Sequence, residues 1–64
     1  MVRINGEETD AAGRTVAEHI ASAGFNPART VVEVNEKIVP KSAYADTMLN
    51  DGDSVEIVCF MGGG

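Results

Sequence analysis

The chain has 64 residues, the length of one domain, and so short a polypeptide buries only about 60% of the surface its unfolded form exposes, which leaves no room for a deep catalytic cavity. With 44% hydrophobic and 23% charged residues it has the composition of a folded globular domain and not of a disordered tail. Ten acidic against five basic residues give a net charge of −5, which opposes binding to polyanions and argues against nucleic acid as a partner.

The same acidity suits a partner with a basic docking face, or serves solubility alone. The basic residues Arg3, Arg14, Arg29, Lys37 and Lys41 are scattered along the chain. A single cysteine, Cys59, cannot form an intramolecular disulfide, and no basic segment followed by an apolar run opens the sequence. No apolar stretch approaches the roughly 20 residues that cross a bilayer. The expected location is cytoplasmic, with no membrane partner.

Val2 and Ile4 alternate with Arg3 and Asn5, and Asn5-Gly6 is a preferred two-residue hairpin turn because both residues tolerate positive φ. A strand, a tight turn and a short polar strand over Glu7 to Asp10 are therefore expected. Thr15-Val16-Ala17-Glu18 fits a capping box and predicts a helix start. Val16, Ile20 and Ala23 then share one face, and Gly24 stands where a glycine would end a helix of two to three turns. Pro27 forbids continuation.

Val31 to Asn35 reads as a β-branched strand with Val32 and Val34 on one face, followed by a turn at Asn35 to Lys37 and a short strand at Ile38-Val39 closed by Pro40. Lys41 to Leu49 has no clean period and is expected to cross the domain as a loop with a helical turn, anchored by Tyr44 and Leu49. Asp51-Gly52-Asp53 is turn chemistry. The last strand, Ser54 to Phe60, sets Val55, Ile57 and Cys59 on one face and Glu56, Val58 and Phe60 on the other.

These elements predict an α+β fold in two layers, a small mixed sheet packed on one helix. If the first strand pairs with the last, the helix is the crossover between them and buries Val16, Ile20 and Ala23 against Val2, Ile4, Val32, Val34, Val55 and Ile57. That arrangement is the β-grasp, the ubiquitin-like fold. The predicted division is a β-grasp domain over residues 1–60 and a glycine tail over 61–64.

No constellation in the chain is suited to catalysis, so no catalytic residue is assigned. His19 and Cys59 do not form a zinc-like ligand set, and His19 reads as a structural or surface residue at the edge of the helix's apolar stripe. Cys59 reads as a small core hydrophobe. Glu7-Glu8 and Asp51/Asp53 lack a cleft that could raise a carboxylate pKa. Gly62-Gly63-Gly64 lacks the following helix a phosphate loop needs.

What remains is the terminal carboxylate. A glycine thread can enter a narrow channel, although a glycine run alone equally describes a frayed end. Three or four extended residues reach on the order of 10–13 Å. Val58 and Phe60 are expected to form an exposed apolar docking patch at the root of that thread, with Met61 and Gly62 beside them, unless the Lys41 to Leu49 loop covers their face.

Ile4-Asn5-Gly6-Glu7, Val34-Asn35, Ile38-Val39-Pro40-Lys41-Ser42, Leu49 with Asp51-Gly52-Asp53, Val55-Glu56-Ile57-Val58 and the terminal Gly63-Gly64 follow one another over nearly the whole chain. In order and spacing this series resembles the ThiS branch of the ubiquitin-like ThiS/MoaD family of sulfur carriers. Lys41 stands where that family often has arginine, and Tyr44 where it often has tryptophan. The resemblance implies a non-catalytic carrier for thiazole formation in thiamin biosynthesis. Gly63 and Gly64 would form the sulfur-carrying end, with Gly64 adenylated and then converted to a thiocarboxylate. It implies as partners a ThiF-type adenylating enzyme that uses ATP and magnesium, a cysteine desulfurase as the sulfur source, and thiazole synthase as the recipient. The carrier itself would bind no cofactor. A molybdopterin-type carrier and a ubiquitin-like modifier are the alternatives.

Overall fold

The computed structural model describes residues 1–60; the expected tail, residues 61–64, lies outside the described residues. Strands β1 (Val2–Ile4) and β2 (Glu7–Thr9) form the first hairpin, helix α1 (Val16–Ser22) follows, and β3 (Thr30–Val34) and β4 (Lys37–Val39) form the second hairpin before β5 (Ser54–Cys59). Among the described residues the sheet order is β2-β1-β5-β3-β4, with β1 and β5 parallel and the other neighbours antiparallel. The first strand thus pairs with the last and α1 crosses between the hairpins, which is the β-grasp.

Both hairpins turn on two consecutive positive-φ residues, Asn5 (51°) with Gly6 (86°) and Asn35 (52°) with Glu36 (70°), the left-handed turn that matches strand twist. The first was legible in Asn5-Gly6. The second sets a glutamate at positive φ.

Helix α1 begins as the capping box predicts. The Thr15 hydroxyl accepts from the Glu18 amide at 3.1 Å and the Glu18 carboxylate accepts from the Thr15 amide at 2.8 Å. Gly24, at φ 80°, closes it: its amide donates to the Ala21 carbonyl and that of Phe25 to Ile20, a Schellman ending. At seven residues α1 is about two turns long. Val16 and Ile20 are buried, but Ala23 is exposed, which corrects its expected place in the core. The helix stops at Ser22, so Ala23 falls at the cap beyond the sheet. After it, Asn26 caps a single 3-10 turn, Pro27–Arg29, whose first position takes the proline without losing a bond.

So short a helix needs support at its N-terminus, and the Lys41 to Leu49 crossing supplies it. The first free amides of α1, on Val16 and Ala17, donate to the carbonyls of Thr47 (2.8 Å) and Tyr44 (3.0 Å), which satisfies orphan donors of the helix end. The crossing contains a 3-10 turn, Lys41–Ala43, and buries Tyr44 and Leu49 as expected. It lies on the helix side of the sheet. Val2, Ile4, Ala11, Val16, Ile20, Val32, Tyr44, Leu49, Val55 and Ile57 form the core, with Val34 partly buried against it.

Candidate functional site

Of the expected docking residues, the two within the described residues, Val58 and Phe60, lie at the end of β5 and just past it. Antiparallel register pairs Val31 with Val58 and Thr30 with Cys59, and the Phe60 amide continues the ladder by donating to the Arg29 carbonyl at 2.7 Å. The chain is therefore held in extended form up to Phe60. Alternation then decides the faces: Ile57 joins the core, and Val58 and Phe60 stand on the outer side, 53% and 58% exposed. The crossing does not cover them, because it is bonded to α1 on the other side of the sheet. Met61, Gly62, Gly63 and Gly64, the other expected docking and sulfur-carrying residues, lie outside the described residues.

The register adds a residue that the sequence reading placed only in a short strand. Ile38 pairs with Glu33, and Glu33 with Glu56, so Ile38 shares the outer face with Val31 and Val58; it is 69% exposed. Three residues of Lys37-Ile38-Val39 carry no alternation strong enough to tell the faces apart, and only pairing resolves it. Glu33 and Glu56 stand directly opposite each other on that face, and like charges so placed repel. The outer surface is thus apolar residues beside two acids.

Cys59 departs from expectation. It is exposed, although it lies on the inner side opposite Thr30, whose hydroxyl is 3.9 Å from its sulfur. The reason is lateral: β1 has already turned at Asn5, so among the described residues β5 has a strand neighbour at Cys59 only on the β3 side. Face assignment by alternation was right, and burial did not follow from it.

On the side that β1 vacates, the Asn5 carboxamide takes over. Its Oδ1 accepts from the Ile57 amide at 2.8 Å and its Nδ2 donates to the Ile57 carbonyl at 3.1 Å. Asn35 acts at the other end of β5, where its Oδ1 accepts from the Ser54 amide and its Nδ2 donates to Asp53, both at 3.0 Å. His19 is half-buried and lines an open groove of about 310 Å³ with Ile4, Asn5, Glu7, Phe25 and Ile57. Among the described residues no three His, Cys, Asp or Glu side chains come together as a metal site, and no helix is long and apolar enough to cross a membrane.

Known proteins share this frame. A thiazole synthase of Paramagnetospirillum magneticum is 48% identical over 62 residues, covering 95% of this chain but 19% of that protein; the chain spans about a fifth of the length of the thiazole synthases it matches. The sulfur carrier protein ThiS of Thermus thermophilus is 36% identical over 64 residues, covering 100% of both chains. The crystal structure of a thiamine biosynthesis protein (ThiS) from Geobacter metallireducens superposes with a TM-score of 0.76 at 31% identity, covering 98% of this chain and 97% of that one. A family model described as the ThiS family matches residues 2–64, and the chain belongs to that family.

Proposed function

We propose that this chain is a non-catalytic sulfur carrier of thiamin biosynthesis that holds sulfur as a thiocarboxylate on Gly64 and gives it up for thiazole formation. The observation that carries this reading is the end-to-end match to the ThiS of Thermus thermophilus, over 100% of both chains. The chemistry then follows from the carboxylate. A carboxylate is a poor electrophile, so its oxygen must first attack the α-phosphorus of ATP, releasing pyrophosphate and leaving an acyl-adenylate. A persulfide sulfur can then displace AMP to give an acyl disulfide, and a second thiol attacks the donor cysteine's sulfur, forming a disulfide with it and releasing the thiocarboxylate. ATP and magnesium belong to the ThiF-type partner, a cysteine desulfurase supplies the persulfide, and thiazole synthase takes the product.

The carrier's own part is to bind and present. Val58, Phe60, Ile38 and Val31 offer an apolar patch beside the Glu33–Glu56 pair, which suits a partner pocket with an apolar floor and a basic rim. Met61 and Gly62 complete the docking segment, and Gly63 and Gly64 form a thread without side chains that can pass a narrow channel.

The test is ATP–pyrophosphate exchange by a ThiF-type adenylating enzyme. Exchange that depends on this chain and is lost when Gly64 is deleted is the expected result. No exchange with an enzyme proven active on another ThiS would contradict the reading, and lysine-linked conjugates in a cell lysate that vanish with Gly64 would point to a modifier instead.

A further inference from the structure

We propose that Asn5 is a positioning residue for the C-terminal end of β5, its carboxamide standing in for the strand that β1 no longer supplies and holding Ile57 just before the docking residues Val58 and Phe60.

Alternation of the backbone sets the need. The carbonyls of Asp53, just before β5, and of Val55 within it face β1 and accept from the amides of Arg3 and Asn5, both at 2.9 Å. Ile57 is the next residue with its amide and carbonyl on that side. There the backbone of β1 has gone, because Asn5 at φ 51° and Gly6 at φ 86° turn the chain away into β2. A carboxamide presents one acceptor and donors in one plane, as a peptide unit does, and the Asn5 side chain bonds both polar groups of Ile57. The left-handed conformation that asparagine tolerates serves the turn and aims the side chain at once. The hairpin turn and the end of β5 are therefore one unit, although they lie 52 residues apart in sequence.

Asn35 provides the comparison within the same molecule. It has nearly the same positive φ, in the matching place of the second hairpin, and its carboxamide bonds the start of β5 at the Ser54 amide and the Asp53 carboxylate just before it, the end remote from the tail. A role in turn formation alone predicts like consequences for both asparagines. A positioning role predicts that only Asn5 matters at the docking end.

The consequence rests on the carrier reading above. If the end of β5 frays, ordering Val58 and Phe60 becomes part of the cost of binding a partner, so affinity falls while the bound complex reacts as before. Asn5→Gly and Asn35→Gly keep the backbone free to adopt positive φ and remove the side chains with their carboxamides, and the entropy that glycine adds to the unfolded chain is common to both. In the full chain, amide hydrogen exchange at Ile57 should quicken about thirtyfold in Asn5→Gly, as expected for two net hydrogen bonds lost, while Val32 and Ile20 stay near the parent rates. With a ThiF-type adenylating enzyme, Asn5→Gly should raise the KM for the carrier severalfold at unchanged kcat, and Asn35→Gly should leave both near the parent values. Exchange at Ile57 that stays at the parent rate in Asn5→Gly, or an equal rise in KM for Asn35→Gly, would overturn the proposal. A parent chain that the enzyme never charges would sink the carrier reading instead, and the exchange comparison would still decide whether Asn5 holds Ile57.

Discussion

Tyr44 ties three parts of the fold together. Its ring is buried, its hydroxyl donates to the Thr30 carbonyl at 3.1 Å, and its own carbonyl receives the Ala17 amide of α1. Burial pushes its pKa above the ordinary phenol value of 10.0, against a smaller opposing effect of hydrogen bonding from the Val32 backbone. A raised folded-state pKa means that this contribution to stability is whole below about pH 10 and is lost as the pH climbs through the higher folded value. Tyr44→Phe should therefore cost about 1 kcal/mol at neutral pH, through the lost hydrogen bond, and should flatten the loss of stability on the alkaline side. Urea denaturation of both proteins at neutral and strongly alkaline pH checks this; equal alkaline slopes would show that another group carries the effect. Phe60 is the opposite kind of residue, exposed and bonded only through its backbone. Phe60→Ala should weaken binding to a ThiF-type enzyme by roughly thirtyfold, the equivalent of about 2 kcal/mol at an interface centre, with little change in melting temperature. Calorimetric affinity paired with thermal melting separates the two; unfolding without loss of affinity in the folded remainder would make Phe60 a core residue.

At the scale of elements, what was legible was what local chemistry encodes. The capping box started α1, Gly24 ended it, and Asn5-Gly6 turned the first hairpin, each from residues within a few positions of one another. The β5 alternation also gave the correct faces for Val55, Ile57 and Val58. What was not legible depends on partners distant in sequence. The order of the Lys41 to Leu49 crossing comes from bonds to the amides of α1 and from the pairing of Leu49 with Gly13 and Arg14, which no period within the segment reveals. Exposure of Cys59 depends on where β1 stops, and the place of Ile38 on the outer face depends on its register with Glu33. Helix α1 itself is held by packing more than by its seven residues, since isolated helices of that length are unstable. Val16→Ala should lower stability by about 1–3 kcal/mol through lost burial and the cavity left behind. Chemical denaturation measures it, and a change near zero would mean that the crossing, not the core, anchors the helix. The folded fraction should keep its affinity for the partner, because Val16 lies on the covered side.

Taken as a whole, the described sheet has one covered face and one open face. The sheet is packed by α1 and the crossing on the inner side, while the outer side keeps Val58, Phe60 and Ile38 uncovered next to the cross-strand pair Glu33 and Glu56. On this account the domain is a handle and Gly64 is the working group. The direct test is the intact mass of the full chain after incubation with a ThiF-type adenylating enzyme, ATP, magnesium and a cysteine desulfurase with cysteine. The account predicts a gain equal to the difference between a sulfur and an oxygen atom, located by fragmentation at Gly64 and absent when ATP is withheld; an unchanged mass with enzymes that charge another ThiS would contradict it.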